Sequence, residues 1–180
     1  MREKARVMTA EDVRRALIRI SHEILERNHR EIGNLVLIGI KSRGDHLALR
    51  IAKNLDEIEG ITVPVGAIDV YLYRDDVNLY DQDVKVNHTD IPFEITGKRI
   101  ILVDEVIYTG RTIRAAMDAL MDFGRPAAIQ LAVLIDRGHR ELPIAADYVG
   151  KNVPTSRKEN VRVQLVEDRG SDGAIIFEVE

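Results

Sequence analysis

No cysteine occurs in the 180 residues, which excludes disulfides, thiolate metal sites and cysteine nucleophiles and agrees with a reducing compartment. Also missing is any apolar run approaching the length of a membrane span. The first residues, Met1 to Arg6, lack the apolar core of a signal peptide, so the chain is expected in the cytoplasm. Internal repeats and low-complexity tracts are absent. His22, His29, His46, His88 and His139 are dispersed, with no pair at metal-ligand spacing, so no all-protein metal site is expected. There is no excess of positive charge either. A net charge of −4 argues against indiscriminate nucleic-acid binding but leaves room for a local basic face. The length suits one domain, 1–180, with a full sheet and flanking helices.

What the chain does contain is concentrated between Arg99 and Thr112. The run Ile100-Ile101-Leu102-Val103 is short, β-branched and unalternated, as expected of a central parallel strand buried on both faces. Asp104 and Glu105 follow it and are expected at its carboxyl end, where open α/β sheets bind ligands. Tyr108-Thr109-Gly110-Arg111-Thr112 then enters a helix whose apolar positions Ile113, Ala116, Met117 and Leu120 have helical spacing. The free N–H groups and positive dipole end of that helix suit a phosphate, and the glycine permits close backbone approach. The acids can accept hydrogen bonds from vicinal sugar hydroxyls. An ordinary capped helix beside two solvated acids is the plainer alternative. Strand, acids, loop and helix in this order favour a ribose-phosphate site.

Around this motif the pattern is that of a doubly wound α/β sheet. A helix is predicted over Thr9 to Asn28, capped by Thr9 and packing through Val13, Ala16, Leu17, Ile20 and Ile24. The buried strand Leu35 to Ile40 runs into Lys41-Ser42-Arg43-Gly44, and a helix follows over about Asp45 to Glu57. That basic loop at a strand end could hold a pyrophosphate. Further strands are predicted near Thr62 to Tyr73 and over Ile129 to Ile135, with a terminal hairpin from Val161 to Val179. The polar segment Arg74 to Lys85 is too long for an ordinary connection and reads as a lid that keeps water from a reactive centre. Tyr73 and Arg74 draw weak interest at its start.

The motif resembles the signature of the type I phosphoribosyltransferases. The longer runs Tyr108 to Leu120, Gly124-Arg125-Pro126, Asp136 to Ile144 and Gly150 to Ser156 are similar to the bacterial pyrimidine operon attenuation regulators, which bind RNA and are also uracil phosphoribosyltransferases. The resemblance implies an α/β, type I phosphoribosyltransferase fold: a mostly parallel central sheet flanked by helices, a flexible loop and a small C-terminal hairpin. It implies 5-phosphoribosyl 1-diphosphate (PRPP) and uracil as substrates, uridine mono- and triphosphate as ligands, and Mg²⁺ carried by PRPP near Asp104 and Glu105. Lys41, Ser42, Arg43 and Gly44 would hold pyrophosphate, Asp104 and Glu105 the ribose, and Tyr108, Thr109, Gly110, Arg111 and Thr112 the 5′-phosphate. Family members usually carry two aspartates where this chain has Asp104 and Glu105. Arg137 is expected near the base or leaving group, or else as a structural partner of Asp136.

For RNA, the resemblance points to Arg15, Arg19 and His22 on the outer face of the first helix, with Arg140 and Lys151. Such cations supply salt-dependent phosphate contacts, although pairing with Glu11, Glu23 and Glu26 is the commoner use of charges on a helix face. The family usually has Thr where this chain has Ile18, and Arg where it has Ala145. These departures favour a transferase that no longer binds pyrimidine operon messenger RNA. A nucleotide sensor with little turnover is a third possibility. A homo-oligomer, dimer or tetramer, is implied, with Ile18 as a possible interface contact.

Overall fold

The computed structural model describes residues 2–76, 88–168 and 170–178. In chain order the main elements are β1 (Arg2–Met8), α1 (Ala10–Asn28), β2 (Leu35–Ile40), α2 (Gly44–Glu59), β3 (Val65–Ile68), β4 (Arg99–Ile107), α3 (Arg111–Met121), β5 (Ala128–Asp136), β6 (Tyr148–Asn152), β7 (Glu159–Gln164) and β8 (Gly173–Glu178). Five parallel strands form the central sheet in the order β3-β2-β4-β5-β6. A second, antiparallel sheet has the order β1-β8-β7.

The central strands are apolar throughout because both faces are covered. Leu35, Leu37, Ile101 and Val103 pack toward α1 and α2, whereas Val36, Ile38, Ile100 and Leu102 pack toward α3. Helix α1 begins with a capping box, in which the Thr9 hydroxyl accepts from Asp12 N at 3.2 Å and Asp12 Oδ2 accepts from Thr9 N at 2.8 Å. Its core face is the predicted one: Val13, Ala16, Leu17, Ile20 and Ile24 are all buried.

The fold corrects several sequence expectations. The strand expected over Thr62 to Tyr73 is confined to Val65–Ile68, and Tyr71–Tyr73 is a 3-10 turn. Strand β4 continues through Asp104 and Glu105 to Ile107, so the acids lie within the strand and not beyond it. The predicted hairpin exists as β7 and β8, but β1 completes it into a three-stranded sheet. Strand β6 was also not anticipated. Of the predicted lid, Arg74 to Lys85, residues 77–85 lie outside the described residues.

Two glycines let the β2–α2 connection reach β4. A Cβ on Gly39 would lie 2.3 Å from Asp45 Cα, and one on Gly44 would lie 2.3 Å from the Val103 carbonyl oxygen. Only a hydrogen fits at either place. Both obstacles are backbone, which cannot rotate away. Gly39→Ala is therefore expected to destabilise the protein by about 2 to 3 kcal/mol, read as a lower denaturant midpoint in equilibrium unfolding.

Candidate active site at the carboxyl end of the sheet

The site is built where the pairing of β2 with β4 ends, after Gly39 and Val103, while β4 runs on to Ile107. Residues adjacent in a strand point to opposite sides, and the acidic pair shows the consequence. Asp104 is buried, only 5% exposed, and its Oδ1 accepts the Glu105 N–H at 2.9 Å. Burial, reinforced by the charge of Glu105, pushes its pKa well above the usual carboxylate range, partly offset by nearby Arg74. Glu105 is half-buried and its Oε1 stands 3.9 Å from Arg43 Nη1. The two acids are therefore not equivalent: one is a buried carboxyl, the other a charged partner of the basic loop.

On the far side of the acids, Gly110 adopts φ 93° at the start of α3, a left-handed conformation that glycine alone takes without strain. The loop carbonyls are already occupied. Thr109 O accepts from Glu141 N at 2.9 Å and Leu142 N at 3.2 Å, and Tyr108 O accepts from Arg140 Nη1 at 2.7 Å. Beside this loop lies a recess of about 210 Å³ lined by Arg74, Asp76, Tyr108, Thr109, Gly110 and Thr112, and the Arg111 N–H at the start of α3 is capped by Thr109 Oγ1 at 3.3 Å. This recess is the cradle at which the sequence places the expected phosphate contact. The Arg111 guanidinium turns away from the recess to Glu141 and Asp75, both at 2.7 Å.

The Lys41-Ser42-Arg43-Gly44 loop closes the opposite end, with a cis peptide between Lys41 and Ser42. Gly44 rests against the β4 backbone beside Asp104. The Lys41 to Gly44 loop, the acidic pair and the recess at Thr109 to Thr112 thus lie at one end of the sheet.

A second recess, of about 450 Å³, is lined by Asp136, Arg137, Gly138, His139, Arg140, Asn152, Pro154 and Thr155. Of the two sequence alternatives for Arg137, pairing with Asp136 is not what its guanidinium does. It is buried, lies 4.0 Å over the centre of the Tyr108 ring, and donates to Thr155 Oγ1 and Asn160 Oδ1 at 3.2 Å each and to the Glu159 carbonyl. Asp136 pairs with Arg140 at 2.6 Å instead. The ring of His139 meets Tyr108 edge-on at 5.7 Å, and its Nε2 donates to Thr155 O at 2.5 Å. Stacking on Tyr108 links this recess to the phosphate loop, a link between distant segments that no local motif announces.

The cations assigned to RNA are mostly engaged. Arg15 pairs with Glu11 at 2.8 Å, and Arg19 pairs with Glu23 at 2.9 Å while donating to the Val149 and Gly150 carbonyls of β6. Lys151 donates to Val7 O at 2.8 Å, so it lies with Arg19 on the α1 side. His22 is exposed. Arg140 makes all its bonds to the phosphate-loop segment, to Tyr108, Asp136 and Ile144, and so acts as a strut there. Ala145 is exposed beside it. Ile18 lines a cleft of about 540 Å³ between α1 and α2 with Arg14, Arg50 and Lys53. Tyr73 points away from the cradle, its hydroxyl donating to Asp122 at 2.6 Å, whereas Arg74 lines the cradle and pairs with Asp76.

Residues 9–168 match the model of the phosphoribosyl transferase domain family. The chain is 58% identical over 177 residues to the bifunctional protein PyrR of Pelotomaculum thermopropionicum, covering 98% of this chain and 97% of that one. It is 56% identical over 180 residues to the bifunctional protein PyrR of Bacillus cereus, covering 99% of each. The chain belongs to the PyrR family of phosphoribosyltransferases. Among solved structures, the hypoxanthine phosphoribosyltransferase of Trypanosoma cruzi superposes with a TM-score of 0.75 at 20% identity over 99% of this chain and 98% of that one. That likeness establishes the type I fold.

The Asp104 environment has a measurable consequence. A carboxyl whose pKa is raised by folding binds its proton more tightly folded than unfolded, so stability falls as pH rises from the unfolded pKa toward the folded one. Asp104 therefore opposes folding of the free protein at neutral pH. Asp104→Asn is expected to melt higher than the parent at pH 7, with the difference shrinking as pH falls through the ordinary carboxylate range. The same variant is expected to lose PRPP affinity, measured by calorimetry.

Proposed function

We propose that the protein transfers the phosphoribosyl group of PRPP to uracil, releasing pyrophosphate and uridine monophosphate (UMP), and that it also regulates pyrimidine operon transcription by binding RNA in response to uridine nucleotides. The observation that carries the catalytic reading is the meeting of three parts at one sheet end: the acidic pair, the phosphate cradle and the basic loop at Arg43. A uracil nitrogen attacks the anomeric carbon, forming the C–N bond as the C–O bond to pyrophosphate breaks; the electron pair leaves with pyrophosphate and the nitrogen's proton passes to solvent. No covalent nucleophile is required.

Catalysis is then mostly positioning and charge stabilisation. The Thr109 to Thr112 loop holds the 5′-phosphate, Asp104 and Glu105 bind the ribose hydroxyls and stabilise the developing positive ring, and Lys41 to Gly44 receive the departing pyrophosphate. The recess at Arg137 and Tyr108 takes the base. Among the described residues no group of three or more His, Asp or Glu side chains could hold a metal by itself. The buried Asp104 and adjacent Glu105 nevertheless suit a divalent cation whose remaining ligands are substrate oxygens. Mg²⁺ bound with PRPP would supply charge neutralisation for the leaving group; its positive charge would also favour ionised Asp104.

For regulation, the outer face of α1 with Lys151 supports an RNA surface, and the nucleotide site supports sensing. Ile18 and the strut role of Arg140 favour the alternative of a transferase without RNA control. Isotopic uracil with PRPP and Mg²⁺ is expected to give UMP; no product at ample enzyme overturns the catalytic half. An RNA hairpin from a pyrimidine operon leader is expected to bind more tightly with UMP present. Arg15→Ala should weaken that binding and lower its salt slope by about 1. Indifference of RNA affinity to the nucleotide overturns the regulatory half.

A further inference from the structure

The small sheet touches the site at two ends. At one end the β7 start holds Arg137 through Glu159 and Asn160. At the other, the turn between β7 and β8 reaches the pyrophosphate loop, where Asp168 Oδ2 accepts from Arg43 Nε at 2.6 Å. That turn is anchored firmly. Arg50 of α2 grips Glu167 at 3.0 and 2.6 Å and Asp172 at 2.6 and 2.9 Å, and Asp172 also accepts the Val166 N–H at 3.0 Å. Arg50 is about two helical turns beyond Arg43, on the same side of α2, so one turn of chain serves both cations.

We infer that Asp168 is a positioning residue for Arg43, orienting its guanidinium toward the pyrophosphate of PRPP. The inference rests on the proposed function. Asp168 takes the Nε edge of the guanidinium. The terminal nitrogens keep their donors: Nη1 stands 3.9 Å from Glu105, beyond hydrogen-bonding distance, and neither Nη nitrogen donates a hydrogen bond among the described residues. A carboxylate that masked Arg43 would engage its outer fork. One that holds the inner edge leaves that fork directed at the acids and at an arriving anion, in the planar two-donor geometry that suits phosphate oxygens. None of the hydrogen bonds of the Thr109 to Thr112 loop among the described residues involves Asp168, so its influence is expected at the pyrophosphate end.

The test compares the full-length parent with Asp168→Asn in the presence of Mg²⁺. The KM for PRPP and the dissociation constant of pyrophosphate are expected to rise about two- to fivefold, with kcat within about twofold. UMP, which carries no pyrophosphate, is expected to bind unchanged, and Asp168→Glu should recover part of the loss. In an Arg43→Gln background Asp168→Asn is expected to add nothing further. Unchanged pyrophosphate affinity, a parallel loss of UMP affinity, or fully additive losses in the double variant would each overturn the assignment. Pyrophosphate and UMP binding are read directly by calorimetry. A parent protein that binds both but makes no UMP from uracil counts against the proposed function and leaves this test standing.

Discussion

The backbone of the β2–α2 connection lies against the backbone of β4, and the rest of the site follows from that approach. At Gly39 and Gly44 the space for a side chain is filled by main-chain atoms of Asp45 and Val103. Because those atoms belong to the sheet and to the first turn of α2, the distance between the pyrophosphate loop and the acids is set by the packed core. Sites fixed to rigid elements in this way require little reordering when substrate binds. The Thr109 to Thr112 loop is fixed by a different device: hydrogen bonds from Arg140, Glu141 and Leu142 occupy the carbonyls of Tyr108 and Thr109, and the Arg111 N–H is held by Thr109 Oγ1.

Charge is distributed unevenly across this frame. Asp104 is driven toward its neutral form by burial, while Glu105 remains beside Arg43. Arg43 has an acid on each side, Glu105 facing the site and Asp168 behind. The antiparallel sheet thus holds both the recess at Arg137, through Glu159, and the Lys41 to Gly44 loop, through the Asp168–Arg43 pair and the Arg50 anchor. Ion pairs at partly exposed positions contribute little stability individually; here their effect is orientation.

Legibility in the sequence followed the locality of the signal. The β4–loop–α3 segment was readable because strand, acids, glycine and helix are consecutive, and α1 because its cap and core stripe repeat at fixed spacing. Strand β1 was hidden because Arg2-Glu3-Lys4-Ala5-Arg6 is charged on both faces, as suits an exposed edge strand with register shifts that blunt further pairing. Strand β6 was hidden because Tyr148-Val149-Gly150-Lys151-Asn152 is short and mostly polar. Its glycine has a reason visible only in the fold, where a Cβ would lie 2.4 Å from the Leu134 carbonyl oxygen.

By itself the sequence determined the fold class, the ribose-phosphate motif and the basic loop expected to meet it, because these depend on patterns within a few residues. The exchange of roles between Arg137 and Arg140 was decided by tertiary structure. Both lie within one five-residue run, yet one guanidinium is drawn under β7 and over Tyr108 while the other braces the phosphate loop. The retreat of Arg111 to Glu141 and Asp75, and the capture of Arg43 by Asp168, have the same origin. A long cation can reach several partners, and which one it takes depends on which distant carboxylate or carbonyl the folded chain brings within about 3 Å.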